Sequence, residues 1–159
     1  MPAQTQYFTF EETVVYNPQG SLTSACTTAT SATLVPLFVA AHPGVVTDCF
    51  LTLAQTAVSA SGFVSGTANA NVRINSAVAL STQPSITMAA ASAASNASRT
   101  NSLSSIGTTV SAVVNTASAA FNRGDAIAID YGFLSSGSAA AGLAATGLQV
   151  GISVRYNAL

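Results

Sequence analysis

Alternation of apolar residues with polar or small ones is the feature that most constrains the fold of this chain. The clearest example is near the C-terminus, where apolar residues occupy every second position: Leu148, Val150, Ile152, Val154 and Tyr156. Ile127, Ile129 and Tyr131 repeat the pattern upstream. Successive side chains of a β-strand point to opposite faces, so this period of two predicts strands with one buried face.

The same pattern predicts shorter strands along the rest of the chain. They fall at residues 7–10, 13–16, 34–40, 48–56, 70–78, 85–88 and 109–115. Pro36 lacks a backbone N–H, which places its strand at a sheet edge or a bulge. Residues 89–105, with room for one helical turn, and 134–146 are predicted surface loops. Short strands at intervals of about 8–12 residues predict one all-β domain, an antiparallel sandwich or barrel.

Charge is scarce, and this excludes several classes of function. Only 6% of the 159 residues are charged, with four arginines, five acids, one histidine and no lysine. Acid–base catalysis draws on titratable side chains, so we expect no enzyme. A net charge of −1 without a basic stripe argues against nucleic acid as a partner. Low charge favours self-association, so we expect an oligomer or a component of a larger particle.

Neither membrane insertion nor a secretory signal is expected. No apolar run reaches the ~18 residues of a membrane helix. The N-terminus lacks the positive start and apolar core of a signal peptide. We therefore expect synthesis and folding in a cytosol, or export by a route that the sequence does not reveal.

The few titratable residues form no recognisable catalytic or metal-binding motif. His42 precedes Pro43-Gly44 and no Gly-x-Ser-x-Gly elbow is present, so we expect a solvated loop histidine. Glu11 and Glu12 are adjacent and point to opposite faces of a strand. Asp48, Asp125 and Asp130 match no calcium-binding loop. We expect no catalytic residue, no metal and no cofactor.

Two short motifs have structural explanations. The tripeptide Arg123-Gly124-Asp125 occurs in some integrin ligands, but here it lies where a tight turn should lead into a strand. Gly124 can adopt a positive φ, and the side chain of Asp125 can bond its own backbone nearby, so we expect a turn. Cys26 and Cys49 are expected to be buried free thiols, with a disulfide left open.

The arginines allow two structural interpretations. Arg155 and Asp130 lie on the last two predicted strands, and neighbouring strands would make them a cross-strand ion pair. Alternatively Arg73, Arg123 or Arg155 lies at a subunit contact, where a planar guanidinium is favoured.

Four segments of the sequence carry a recognisable pattern. Residues 120–130 contain a Gly-Asp strand opening, a Gly/Ala/Ser spacer follows, and residues 147–156 end in aliphatic-x-aliphatic-Arg-Tyr. Together with residues 71–75 and 80–87, which look like the middle of such a domain, they cover about half of the chain and resemble a recurring domain of tailed-bacteriophage structural proteins. The resemblance implies an antiparallel jelly-roll-like β-sandwich that forms homotrimers.

The resemblance also implies a function. Such domains occur as capsid decoration (cement) proteins, so the expected partners are other copies of the chain and the major capsid protein. The expected location is the capsid exterior of the virion, after synthesis in the host cytoplasm. The alternative is a receptor- or carbohydrate-binding module of a tail fibre or baseplate tip, with residues 89–105 and 134–146 as its recognition loops and Phe133 as a stacking candidate.

The N-terminal segment is the predicted contact with the shell. We divide the chain into an arm with the first strands, residues 1–16, and a single β-sandwich domain, residues 17–159. The arm carries the densest aromatic cluster: Tyr7, Phe8, Phe10 and Tyr16. Aromatic residues are favoured interface anchors, although they are equally suited to fill the sandwich core.

Overall fold

The computed structural model describes residues 9–18, 31–53, 55–58, 63–89, 98–99, 108–137 and 143–157. Over these ranges the chain forms strands and no helix, and so no helix that could span a membrane. The strands are β1 (Thr9–Tyr16), β2 (Ala32–Val39), β3 (Gly44–Leu53), β4 (Gln55–Val58), β5 (Phe63–Ile74), β6 (Ala77–Val78), β7 (Leu80–Thr82), β8 (Ser85–Ala89), β9 (Ser98–Arg99), β10 (Thr108–Val110), β11 (Val113–Val114), β12 (Ala120–Phe121), β13 (Ala126–Gly137), β14 (Leu143–Thr146) and β15 (Gln149–Asn157).

The strands form two large antiparallel sheets. The first has the order β1-β15-β3-β12, with β9 also paired to β3. The second has the order β10-β8-β5-β13-β2, with β6 also paired to β5. Two small sheets, β7 with β11 and β4 with β14, accompany them. The prediction of an all-β antiparallel fold is confirmed, and the arrangement is consistent with a β-sandwich.

One apolar core joins the inward faces of both large sheets. The alternation in β15 holds, because Val150, Ile152 and Val154 are fully buried. In β13, Ile127 and Ile129 are fully buried as the pattern predicts. The other fully buried large side chains of the described residues are Leu51, Leu53, Val46, Val72, Ile86, Phe133 and Leu148. Burying such a side chain contributes about 1.5–3 kcal/mol, so the period-two pattern is the main determinant of this fold.

Several predicted segments have different boundaries in the structure. β1 is continuous across the break predicted between residues 10 and 13, and the strand predicted over 109–115 is divided into β10 and β11. The strand predicted over 70–78 ends at Ile74, because the chain reverses at Asn75 (φ 47°) and Ser76 (φ 73°) and returns as β6. The predicted loop over 134–146 is wrong in part. β13 continues to Gly137 by pairing with β5, and Leu143–Thr146 forms β14.

The other predicted loop, over 89–105, is wrong at two points. Ala89 ends β8, and Ser98–Arg99 forms β9 beside β3. Most of that segment lies outside the described residues. In both loops the small residues gave no apolar alternation, so the pairing with a neighbouring strand could not be predicted.

β2 is an irregular edge strand, as Pro36 predicts. Its pairing with β13 shifts register twice, between Ile127 and Ala128 and between Ile129 and Tyr131. Leu34 lies in the second irregularity with a φ of 54°. Positive φ is unfavourable for a residue with a Cβ, so the surrounding contacts must hold this conformation.

The ion pair predicted between Asp130 and Arg155 is wrong. Asp130 lies on β13 in the second sheet, whereas Arg155 lies on β15 in the first. Asp130 instead accepts a hydrogen bond at Oδ2 from Nε of Arg73, with a donor–acceptor distance of 2.5 Å. Its other oxygen, Oδ1, accepts the backbone N–H of Leu34 at 2.9 Å. One carboxylate therefore joins β5, β13 and β2.

Candidate functional site

An exposed aromatic residue near the start of the first strand rests on an aromatic cluster. Phe10 is opposite Tyr156 in the β1–β15 register, and their rings stack at 6.3 Å. Tyr156 also meets the buried ring of Phe121 edge-on at 5.9 Å. Phe10 nevertheless remains 62% exposed. The cluster thus presents one large aromatic face to solvent while its other members anchor it.

A carboxylate borders this aromatic surface. Glu12 is exposed and lies two residues along β1 from Phe10. The pKa of Tyr156 is raised by burial first, then by the charge of Glu12 and a hydrogen bond to it. Burial and the neighbouring carboxylate thus both disfavour ionisation of the Tyr156 hydroxyl.

Tyr16, at the other end of β1, has a packing role. It is half-buried, and its ring lies 5.9 Å from that of Tyr131 on β13. The pKa of Tyr131 is raised by burial and then by its interaction with Tyr16. Of the four predicted arm aromatics, Tyr16 packs against the core and Phe10 faces solvent. Tyr7 and Phe8 lie outside the described residues.

The three candidate arginines occupy separate places. Arg73 pairs with Asp130 and donates from Nη1 to the carbonyl of Ser76 at 2.9 Å. Arg123 is exposed in the turn before β13. Arg155 is exposed on β15, opposite Glu11 in the register with β1. The structure does not bring these arginines together, and their role at a subunit contact stays a prediction.

The Arg123-Gly124-Asp125 tripeptide forms the predicted tight turn. Gly124 has a φ of 93°, and the N–H of Asp125 donates to the carbonyl of Asn122 at 3.1 Å. The carboxylate of Asp125 accepts the N–H of Asn122 at 2.7 Å and the side-chain amide of Asn75 at 2.6 Å. These bonds, first the one from Asn122, lower the pKa of Asp125. The aspartate is therefore engaged within the turn.

The remaining titratable residues of the described chain form no metal site. No group of three histidine, cysteine or acidic residues is close enough to hold an ion there. His42 is exposed beside the start of β3. Asp48 is half-buried, and its Oδ1 accepts the N–H of Cys49 at 2.8 Å.

The environment of Cys49 predicts that its thiol reacts slowly in the folded protein. The thiol is buried and free, and burial raises its pKa to about 12, with a smaller contribution from the charge of Asp48. Since the thiolate is the nucleophile, we expect no labelling of Cys49 by iodoacetamide at pH 8 in the folded protein and complete labelling in denaturant. Peptide mass spectrometry measures the labelling of Cys49 separately from that of Cys26, which lies outside the described residues. Labelling at equal rates in both states would contradict the burial.

Comparison with known proteins does not assign the chain to a family. No protein-family model and no curated protein matches its sequence. The surface features described above therefore carry the functional argument.

Proposed function

We propose that the chain is a non-enzymatic virion structural protein, a phage capsid decoration protein that binds the shell as a homotrimer. The exposed ring of Phe10 is the observation that carries this proposal. A 62% exposed aromatic side chain supported from behind by Tyr156 and Phe121 has the properties of an interface anchor. The scarcity of charge across the sequence agrees with a protein whose surface is largely covered in an assembly.

The proposed fold is a jelly roll, and the strand pairing supports it. Eight strands form the two sheets of a jelly roll, which arises when one long hairpin coils on itself. In such a fold the first strand pairs with the last, the second with the next to last, and so on inward. The corresponding pairs here are β1 with β15, β2 with β13, β3 with β12 and β5 with β8.

Truncating the exposed ring tests the shell contact. We expect Phe10→Ala to weaken binding to assembled shells of the encoding phage at least tenfold, because an anchor residue carries about 2 kcal/mol or more. Stability should fall by less than about 1 kcal/mol, since the ring is mostly exposed already. Titration of shells lacking this protein, followed by sedimentation, measures the affinity.

Thr13→Ala is the matched control for this experiment. Thr13 is exposed on the same strand, and its hydroxyl shares a hydrogen bond with Ser153 Oγ at 3.1 Å. Since Thr13 is not aromatic and lies apart from the Phe10–Tyr156 stack, its truncation should leave shell binding unchanged. Deleting residues 1–10 should abolish decoration while the remaining chain stays folded. Full decoration by either Phe10→Ala or the deletion variant would overturn the proposed contact. Binding to host cells instead of shells would favour the fibre-tip alternative.

A further inference from the structure

A carboxylate lies at a position of β1 where the strand pattern predicts an apolar side chain. Glu12 shares one face of the strand with Phe10, Val14 and Tyr16, because successive side chains alternate between the two faces. In the register with β15, Glu12 is opposite Val154, which is fully buried in the core. Glu12 itself is exposed. The inward face of β1 therefore carries a charge at the margin of the core, and this departure from the apolar pattern requires an explanation.

Two aromatic rings lie beside this carboxylate. Phe10 precedes Glu12 by two residues on the same face, which places their Cα atoms about 7 Å apart along an extended strand. The ring of Phe10 stacks on Tyr156 with an angle of 18° between the ring planes, and it remains 62% exposed. Glu12 is also close enough to Tyr156 to interact with its hydroxyl through charge and hydrogen bonding. An exposed aromatic ring and a carboxylate thus border the same surface.

No cation of the described residues neutralises Glu12. The ion pair found among these residues joins Arg73 to Asp130, and both belong to the second sheet. Arg155 follows the residue opposite Glu12 in β15, but it is itself opposite Glu11. Arg155 therefore lies with Glu11 on the other face of the first sheet. The aromatic surface has an uncompensated negative charge, and charge complementarity favours a cationic partner.

An arginine side chain matches this surface better than other cations do. Its planar guanidinium can stack on the ring of Phe10 while its N–H groups donate to the carboxylate of Glu12. A lysine ammonium is a compact point charge without a planar face for stacking. A carboxylate has about four acceptor positions, so a bond from Tyr156 leaves places for the paired bonds of a guanidinium.

We propose that Phe10 and Glu12 together bind an arginine side chain of the major capsid protein of the shell. Phe10 supplies the stacking surface and Glu12 supplies the opposite charge, while Tyr156 supports the ring from behind. This inference rests on the proposed function, and it names the chemical group of the shell that the exposed ring contacts.

Two adjacent acidic residues provide a matched pair of variants. Glu12→Gln removes the charge beside Phe10 and keeps an oxygen that can accept a bond from Tyr156. Glu11→Gln makes the same change on the opposite face of β1. Each variant changes the net charge by one unit from −1, so the general electrostatic attraction to a shell is the same for both. We expect Glu12→Gln to weaken binding to shells lacking this protein about tenfold, and Glu11→Gln to leave it unchanged.

Chemical modification of the shells identifies the group on the partner. Phenylglyoxal blocks arginine side chains, and acetylation with an N-hydroxysuccinimide ester blocks lysine side chains. Shells treated with phenylglyoxal should bind the wild-type protein about tenfold more weakly, whereas acetylated shells should bind it normally. Electron microscopy verifies that treated shells stay intact. In decorated shells, peptide mass spectrometry should find a capsid arginine that the wild-type protein and Glu11→Gln protect from phenylglyoxal, and that Glu12→Gln at equal occupancy does not.

The outcomes separate this inference from the proposed function. Equal shell affinities of Glu11→Gln and Glu12→Gln, or full binding to arginine-blocked shells, overturn the arginine contact. A weakened Phe10→Ala variant would still support the shell contact in that case. If Glu12→Gln binds shells normally but gains mass in light scattering, Glu12 protects the edge of β1 from strand addition, and the arginine contact is wrong. A wild-type protein that binds no shells overturns both the inference and the proposed function.

Discussion

Replacing Gly44 with alanine should lower the free energy of unfolding by about 3 kcal/mol. A Cβ at this position would lie 2.5 Å from the backbone oxygen of Arg155 and 2.7 Å from Cζ of Phe121. Gly44 is opposite Tyr156 of β15 on one side and Phe121 of β12 on the other, so β3 cannot move away from either contact. Denaturation in urea, with the slope compared between variants, measures the loss.

Gly124→Ala adds the same methyl group in a different environment and serves as the control. No atom lies within 4 Å of a Cβ built on Gly124, and the cost comes only from its φ of 93°. We expect a loss of about 1 kcal/mol there. Equal losses in the two variants would show that the conformational preference of glycine, and not the close packing at Gly44, determines the effect.

The strands that were predicted correctly from the sequence are those in which every second side chain is apolar and buried. Ile127, Ile129 and Val150 show why: each lies on the inward face of an interior strand, so solvent exclusion selects an apolar residue at every second position. The reversal at Asn75 and Ser76 was not predicted, because both positions have positive φ and neither is a glycine. The hydrogen bonds of Asn75 to Asp125 and Ala126 support that turn, and they come from residues about fifty positions away.

The partner of Asp130 shows a second limit of sequence reasoning. Strands β13 and β15 are near in sequence but belong to different sheets, so proximity along the chain led to Arg155. The partner is Arg73, because β5 lies beside β13. Strand order in a sheet with crossover connections depends on the whole topology, and local patterns do not contain it.

The candidate surfaces were likewise predictable only in part. An aromatic-rich N-terminal segment was visible in the sequence, and Phe10 is its exposed member among the described residues. Leu34 and Val39 were assigned only to an apolar strand. Their exposure follows from the position of β2 at a sheet edge, for which Pro36 was the available signal.

Removing the carboxylate of Asp130 should lower the free energy of unfolding by about 2 kcal/mol. Asp130→Ala leaves the N–H of Leu34 and the guanidinium of Arg73 without this acceptor. The two charged side chains are 16% and 28% exposed, so solvent reduces the effect below that of a fully buried pair. Urea denaturation of Asp130→Ala, Arg73→Ala and the double variant gives the coupling between them, expected at about 1 kcal/mol.

The N–H of Leu34 distinguishes a local role of Asp130 from general loss of stability. Asp130 Oδ1 accepts this N–H across a bulge in which Leu34 has a φ of 54°, so the carboxylate stabilises an unfavourable backbone conformation at the edge of the sheet. Hydrogen exchange at Leu34 should therefore accelerate more in Asp130→Ala than exchange at Val72 in the interior strand β5. Asp130→Asn retains an acceptor for the N–H and should give an intermediate rate. Equal acceleration at both amides in Asp130→Ala would mean that the ion pair acts on the whole domain and does not hold the irregular edge.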